Sequence, residues 1–424
     1  MTTDSSSEPL IDIDRLKRDI LELAKIGQDP ATRGVTRLGF SDADMQARSW
    51  LMTRIADAGG SAGLDGAGNV VGRFAGAADL PPVLVGSHID SVPAGGMFDG
   101  TLGVLAGVEA MRTLGDLNRT LHRPVEVIAF ADEEGRFGGM FGAQAVCGQL
   151  TADWIHNAHD VDGIRLADAM QAQGLDPMAA LDAARRPDDI HAYLELHIEQ
   201  GPVLEQERKN IGLVDGIAGV FKWIVRLVGK AAHAGTSPMH MRSDAFMGLA
   251  DFAHEISRII EEDGSAHSRL TVGKVELLPG NPHTIPGEVI FSLVGRDMSP
   301  QVMSDLADSC RKVLSAIARR HHLKFEFEQL SWLEPQGCDA GLLQVFEDHA
   351  DRLGLSHLHM PSGAGHDTQF MACLTRAALI FVPSVGGTSH APDEWTHWVD
   401  AENGANVLLR TLAAVADEGT PKTA

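Results

Sequence analysis

The sequence predicts an α/β protein with a mostly parallel central sheet, into which a smaller α+β unit is inserted. Three observations predict it. Short apolar runs alternate with helical stretches in the first third of the chain, the rhythm of strands joined by crossover helices. Over 217–332 the order changes to β-α-β-β-α-β, and after about 333 the first texture resumes. The chain has 424 residues, more than one ordinary core supports. Two domains are therefore expected, 1–216 with 333–424, and 217–332.

The elements follow in order. Residues 1–9 read as a frayed tail, and 11–26 carry apolar positions at helical spacing. Ser41 is placed to cap a second helix running to about 58, with Asp42 and Asp44 favourable in its first turn. Residues 69–74 and 83–86 read as strands. The second is a continuous apolar run, as in a strand buried on both faces. A glycine-rich loop (93–100), a helix (101–114) and a strand (125–131) follow. In the inserted region a strand (221–229), a helix (237–261), strands (271–278 and 288–295), a helix (300–321) and a strand (324–330) make a ferredoxin-like pattern. A helix near 339–353, a strand at 378–382 and a closing helix from about 401 complete the chain.

Composition narrows the function classes. Apolar residues make 44% and charged residues 22%, a globular mix that argues against disorder. A net charge of −23 opposes binding to a phosphate backbone, so no nucleic-acid partner is expected. Cys147, Cys310, Cys338 and Cys373 are widely spaced with no CxxC pair and read as buried thiols of a reducing compartment. The polar start MTTDSSSEPL is unlike a signal peptide, and no apolar run reaches membrane-spanning length. A cytoplasmic protein without a membrane partner is expected.

Five segments set His, Asp or Glu beside glycine: GSHIDSV (86–92), GGMFDGTLG (95–103), FADEEGRFG (130–138), LELHIEQG (194–201) and GGTSHAPDE (386–394). Imidazole and carboxylate together suit Zn, Mn, Co or Ni. Two such ions side by side need a carboxylate between them. Asp99, between Phe98 and Gly100 and just before a helix N-terminus, is the best candidate for that bridge. Asp90 lies two residues after His88, so on an extended segment both side chains face the same way, and Asp90 is expected to hold the imidazole's second nitrogen. Glu133 and Glu134 are adjacent and cannot both play the same part, so one binds a metal while the other stands free as a general base. Taken singly, a histidine among 19 is more often a surface or core residue, and His156, His159, His191, His321, His322, His357 and His359 are read so. Joint occurrence lifts the five segments above that background.

These segments, with KAAHAGTSPM (230–239) and SGAGHD (362–367), make the chain resemble the M20-type metallohydrolases over about 15–415. The resemblance is to the amidase branch that holds N-carbamoyl-L-amino acid hydrolases, β-ureidopropionase and allantoate amidohydrolase, and HIEQGPVLE (197–205) is specific to it. It implies two divalent ions per subunit, with His88, Asp99, Glu134, His197 and His390 as ligands, Asp99 bridging, and Glu133 as the catalytic base. It implies substrate contacts from Gln200, His233, Arg296 and His366, with His233 reaching the partner subunit's site and also stabilising the oxyanion. The inserted domain would then be a lid and dimerisation element of a homodimer, and the substrate a small carboxylate-bearing ureido or amide compound. His283 stands where the branch has Asn, and Val294, Gly295 and Thr388 also depart from its pattern, all around the expected pocket for the substrate's carboxylate end.

The expected reaction is hydrolysis of a linear amide C–N bond, most simply in an N-carbamoyl amino acid or allantoate-like ureido acid. The same scaffold also suits an N-acyl amino acid or peptide amidohydrolase. A non-catalytic binding protein would have lost a ligand or the base, and all six positions are present. A two-metal phosphoesterase would want a Lys/Arg cluster for phosphate, which the sequence does not show.

Overall fold

The computed structural model describes residues 8–419, so most of the expected frayed tail lies outside the described residues. The chain divides into two compact units. One runs to Asp215 and resumes at Gly337; the other is Gly216–Gln336.

The first unit is built on a nine-stranded sheet. Across it lie Ser61–Leu64, Val70–Phe74, Val125–Phe130, Val83–His88, Ala192–Ile198, Ala377–Val382 and Ile211–Ile217, and the last of these also pairs with Gln336–Gly337 and His357–Ser362. The four central strands, from Val125–Phe130 to Ala377–Val382, are parallel to one another, and antiparallel pairs flank them. All four are buried along their whole length. Parallel strands sandwiched between helices have no solvent face, so their apolar residues do not alternate. Among the helices packed on them, Thr101–Asp116 and Trp398–Ala416 are buried over most of their surface and join the main core around Leu102, Leu105, Leu194, Ile380 and Leu408. Ser41 caps the helix Asp42–Asp57 by accepting from the amide of Asp44, as its position predicts. A smaller apolar cluster, around Phe40, Phe141, Leu166 and Met170, lies beneath short helices between 141 and 183 that periodicity does not reveal.

The second unit is a four-stranded antiparallel sheet in the order Lys324–Leu333, Gly219–Val228, Glu288–Asp297, Arg269–Leu278. Gly219–Val228 and Glu288–Asp297 alternate in burial, as strands with one covered face do. The helices Ala245–Asp263 and Pro300–Arg320 join them in a separate core around Trp223, Phe252, Phe291 and Leu314. The first of these helices begins eight residues later than its expected start at 237. Pro238 is extended, Arg242 ties itself to the carbonyls of Ala234 and Ser237, and Asp244 supplies the real cap by accepting from the amide of Phe246. Among the described residues no helix is long and apolar enough to cross a membrane. The cysteines are free thiols, but Cys373 is exposed and only Cys310 is fully buried, which corrects the expectation of four buried ones.

Candidate active site

In a parallel sheet the chain leaves each strand at the same edge, so side chains from successive loops converge there. His88 ends Val83–His88, in register with Phe130 of the neighbouring strand, and Glu133 and Glu134 follow that strand by three and four residues. His197 is the penultimate residue of Ala192–Ile198, opposite Phe381. Asp99 lies just before the helix Thr101–Asp116. Gly100 between them has φ +61, and a Cβ there would stand 2.4 Å from the His88 ring, so only glycine lets Asp99 and His88 approach. His390 arrives from the loop after Ala377–Val382.

Among the described residues three groups of three side chains could hold an ion: two share Asp99, and the third, Glu195, His197 and His366, shares His197 with one of those two. His88, Asp99 and His197 each offer a ligand atom within 4.8 Å of the others, and so do Asp99, Glu134 and His390. The Asp99 carboxylate divides itself between them: Oδ1 is 3.2 Å from His197 Nε2 and Oδ2 is 3.2 Å from His390 Nε2. Glu134 Oε2 is 3.4 Å from His390 Nε2. Glu133 belongs to neither group; its Oε2 lies 3.6 Å from His88 Nε2.

The donors fit divalent cations. His88 Nδ1 faces the backbone carbonyl of Asp90 at 3.1 Å and His197 Nδ1 that of Ile198 at 2.8 Å, which leaves each Nε2 turned to the cluster. That is how a metal-binding imidazole is usually held. Burial pushes His88 down to about 4, so that ring is neutral at physiological pH; against burial, the Asp99 carboxylate raises His197 to about 9 and lifts His390 as well, protons that a bound cation would displace. Burial and the Asp99 charge push Glu134 up to about 11, and its Oε1 is buried without a hydrogen-bond partner. Burial, then Asp367, Asp90 and Asp99, raise Glu133 well above the usual carboxylate range. Burial opposes ionisation of Asp99 too, but hydrogen bonds from His197 and His390 outweigh it and hold Asp99 well below that range. Carboxylates crowded in this way call for positive charge between them.

Asp90 sits differently from expectation. The Nδ1 atom of His88 meets the backbone carbonyl of Asp90, and the carboxylate is 3.7 Å away. Asp90 Oδ1 and Oδ2 instead accept the amides of Glu133 and Glu134 at 3.2 and 3.1 Å. Asp90 therefore holds the loop that carries both glutamates. Asp90→Ala would leave those two amides without acceptors, at about 1–3 kcal/mol for each unsatisfied group. A lower Tm together with weakened activity is the expected outcome; an unchanged Tm would show that solvent replaces the carboxylate.

Gln200 and His366 lie against the cluster. Gln200 Nε2 donates to both Asp99 oxygens at 3.0 and 3.1 Å. The His366 ring packs edge-on to His197 at 4.5 Å and its Nε2 meets Ser362 Oγ at 2.9 Å. Gln200 (φ +57), His390 (φ +55) and Asp132 (φ +51) all hold left-handed backbone, a strain that accumulates at functional sites. His233, His283 and Arg296 belong to the second unit. His233 pairs with Thr284 in a two-residue ribbon beside His283, whose carbonyl accepts from Ala234 at 2.9 Å. His233 Nδ1 accepts the amides of Gly235 and Thr236 at 3.0 and 3.2 Å, which leaves Nε2 as the ring's N–H. Arg296 is half-buried on Glu288–Asp297, and desolvation lowers its pKa.

Several buried carboxylates beside the site escaped the sequence reading, Glu195 and Glu394 among them. Glu195 accepts from Ser87 Oγ at 2.7 Å and from the amide and hydroxyl of Thr368, and so joins the His88 strand to the segment after His366. Glu394 accepts from two amides and Ser389 Oγ. The available signal was spacing: Glu195 is two residues before His197 on the same strand face, and Glu394 four after His390.

A shared carboxylate between two His-containing groups, at the strand ends of an α/β sheet, defines a candidate metallohydrolase centre. The chain belongs to peptidase family M20/M25/M40, whose model matches residues 84–414. It is 38% identical to an N-carbamoyl-L-amino acid amidohydrolase of Geobacillus stearothermophilus, over 96% of this chain and 99% of that one. It is 35% identical to an allantoate amidohydrolase of Escherichia coli, over 93% and 96%. A crystal structure of an amidase of the hydantoinase/carbamoylase family from Burkholderia multivorans superposes with a TM-score of 0.87 at 36% identity, covering 96% of this chain and 99% of that one.

Proposed function

We propose that this site hydrolyses the ureido C–N bond of a small carboxylate-bearing substrate, an N-carbamoyl amino acid or an allantoate-like acid. The observation that carries the proposal is the sharing of Asp99 between the two three-residue groups. The protein is a hydrolase of C–N bonds in linear amides, as its relatives' names indicate.

His88, Asp99 and His197 would hold one divalent cation, and Asp99, Glu134 and His390 a second, drawn from Zn, Mn, Co or Ni. Bound there, such ions polarise a carbonyl and make water acidic enough to attack at neutral pH. Glu133, outside both groups, takes the proton from the attacking water and returns it to the leaving nitrogen. The His233 Nε2–H of one subunit would donate to the developing oxyanion in the partner subunit's site. Arg296 pairs with the substrate carboxylate, whose shape a guanidinium fork matches. Gln200, His283 and His366 complete the substrate contacts. The inserted unit serves as lid and dimerisation element of a cytoplasmic homodimer.

Arg296→Ala is expected to raise KM for carboxylate-bearing substrates by roughly 10- to 150-fold, the worth of a charged hydrogen bond of about 1.5–3 kcal/mol. Equal losses with uncharged analogues would make the role structural. The proposal as a whole is tested by ammonia release from metal-loaded protein against N-carbamoyl α- and β-amino acids, allantoate and N-acyl amino acids. Ammonia from a ureido compound supports it. Free amino acid from an N-acyl compound with no ammonia from any ureido compound would overturn it in favour of an acyl amidase.

A further inference from the structure

The loop carrying Asp99 is short and rich in glycine, so something outside it must fix the carboxylate. Within that loop the amides of Phe98 and Asp99 both donate to a single atom, Glu394 Oε1, each at 3.1 Å. The other oxygen, Oε2, accepts from Ser389 Oγ at 2.7 Å, and Ser389 immediately precedes His390. One carboxylate thus clasps two segments that are distant in sequence and that each contribute a member to the group Asp99, Glu134 and His390. Glu394 is buried at 2% exposure and belongs to none of the ligand groups. The chain is built around it: a Cβ on residue 96 would lie 2.0 Å from Oε1, so Gly96 is required for the carboxylate to reach the loop. Asp90 holds the Glu133–Glu134 loop by the same device, but it grips one segment where Glu394 joins two.

We propose that Glu394 is a positioning residue that sets the separation between the shared carboxylate Asp99 and the His390 imidazole, and so determines how tightly the second cation is held. The inference rests on the metal reading of the site given above. Its physical basis is ordinary: a ligand whose backbone is pinned by a charged acceptor loses little freedom when it binds an ion, and removing such outer support costs ~10- to 100-fold in metal affinity. Glu394→Gln keeps an amide oxygen facing the two N–H groups while Ser389 turns its hydroxyl to accept, but it loses the charge, so it should restore part of what Glu394→Ala loses. Ser389→Ala cuts only the His390 side of the clasp.

The test is calorimetric titration of the metal-free full-length chain with Mn2+, with circular dichroism to show that each variant is folded. Wild type is expected to take two ions. Glu394→Ala should weaken at least one of them ~10- to 100-fold, Glu394→Gln should bind between Glu394→Ala and wild type, and Ser389→Ala should weaken one ion only. A folded Glu394→Ala chain that binds both ions as tightly as wild type would overturn the assignment alone. If that variant does not fold, Ser389→Ala decides, since two undisturbed affinities there would also overturn it. A wild-type chain that takes up no Mn2+ would overturn the metal reading, and this inference with it.

Discussion

Asp99→Ala is expected to abolish hydrolysis and to remove both cations at once. No other single replacement in the cluster has that reach, because Asp99 alone belongs to both of the groups to which a cation is assigned above. Without it His88 and His197 remain on one side and Glu134 and His390 on the other, two protein donors each. Catalytic metal sites keep at least three, so affinity at both positions should fall by well over ~100-fold, beyond the loss that outer-sphere changes produce. The fold should survive. The loop backbone is held by Glu394 through amides that alanine retains, and Asp99's charge, which helps to push Glu134 up to about 11, is gone. Metal content by elemental analysis and far-ultraviolet circular dichroism check the two halves of the prediction. Retention of one ion at full affinity would show that the two groups are not coupled through this carboxylate.

How far this site could be read from sequence depends on what each element buries. Val83–His88 and Val125–Phe130 are legible because strands covered on both faces must be apolar throughout, and their ends locate His88 and the Glu133–Glu134 pair. Ala192–Ile198 is harder. It is as deeply buried, yet it carries Glu195 and His197, so hydropathy alone underrates it. Those polar groups are tolerated because Ser87, Thr368 and Asp99 satisfy them, partners up to 173 residues away that no local pattern reveals. The same limit explains Asp90. Spacing along an extended segment placed it beside His88, but its carboxylate is claimed by two amides more than 40 residues further on. The position of Asp90 was legible, and its partner was not. The late start of Ala245–Asp263 has a local cause: Ser237 and Pro238 imitate a helix start, and the true cap is decided by how Arg242 ties down the turn before it.

Glu133→Gln is expected to leave metal binding and fold intact while lowering kcat by ~10²- to 10⁴-fold, the range that general acid–base catalysis supplies. Three features of the site separate this outcome from its rivals. Glu133 lies outside both ligand groups, so an amide in its place subtracts no donor from either. Its backbone amide is bonded to Asp90, which the substitution does not touch, so the neighbouring Glu134 keeps its position. Glutamine has nearly the same volume, and at 9% exposure no cavity or solvent channel opens. What disappears is the capacity to take a proton from water and hand it to the leaving nitrogen, a step felt in the transition state and not in substrate binding. The drop should therefore appear in kcat and in kcat/KM alike, with KM nearly constant. If the two adjacent glutamates had exchanged roles, Glu133→Gln would lower metal affinity and Glu134→Gln would spare it. Measuring kcat, KM and metal content on both variants distinguishes the two arrangements, and a Glu133→Gln enzyme with near-normal kcat would remove Glu133 from the proton path altogether.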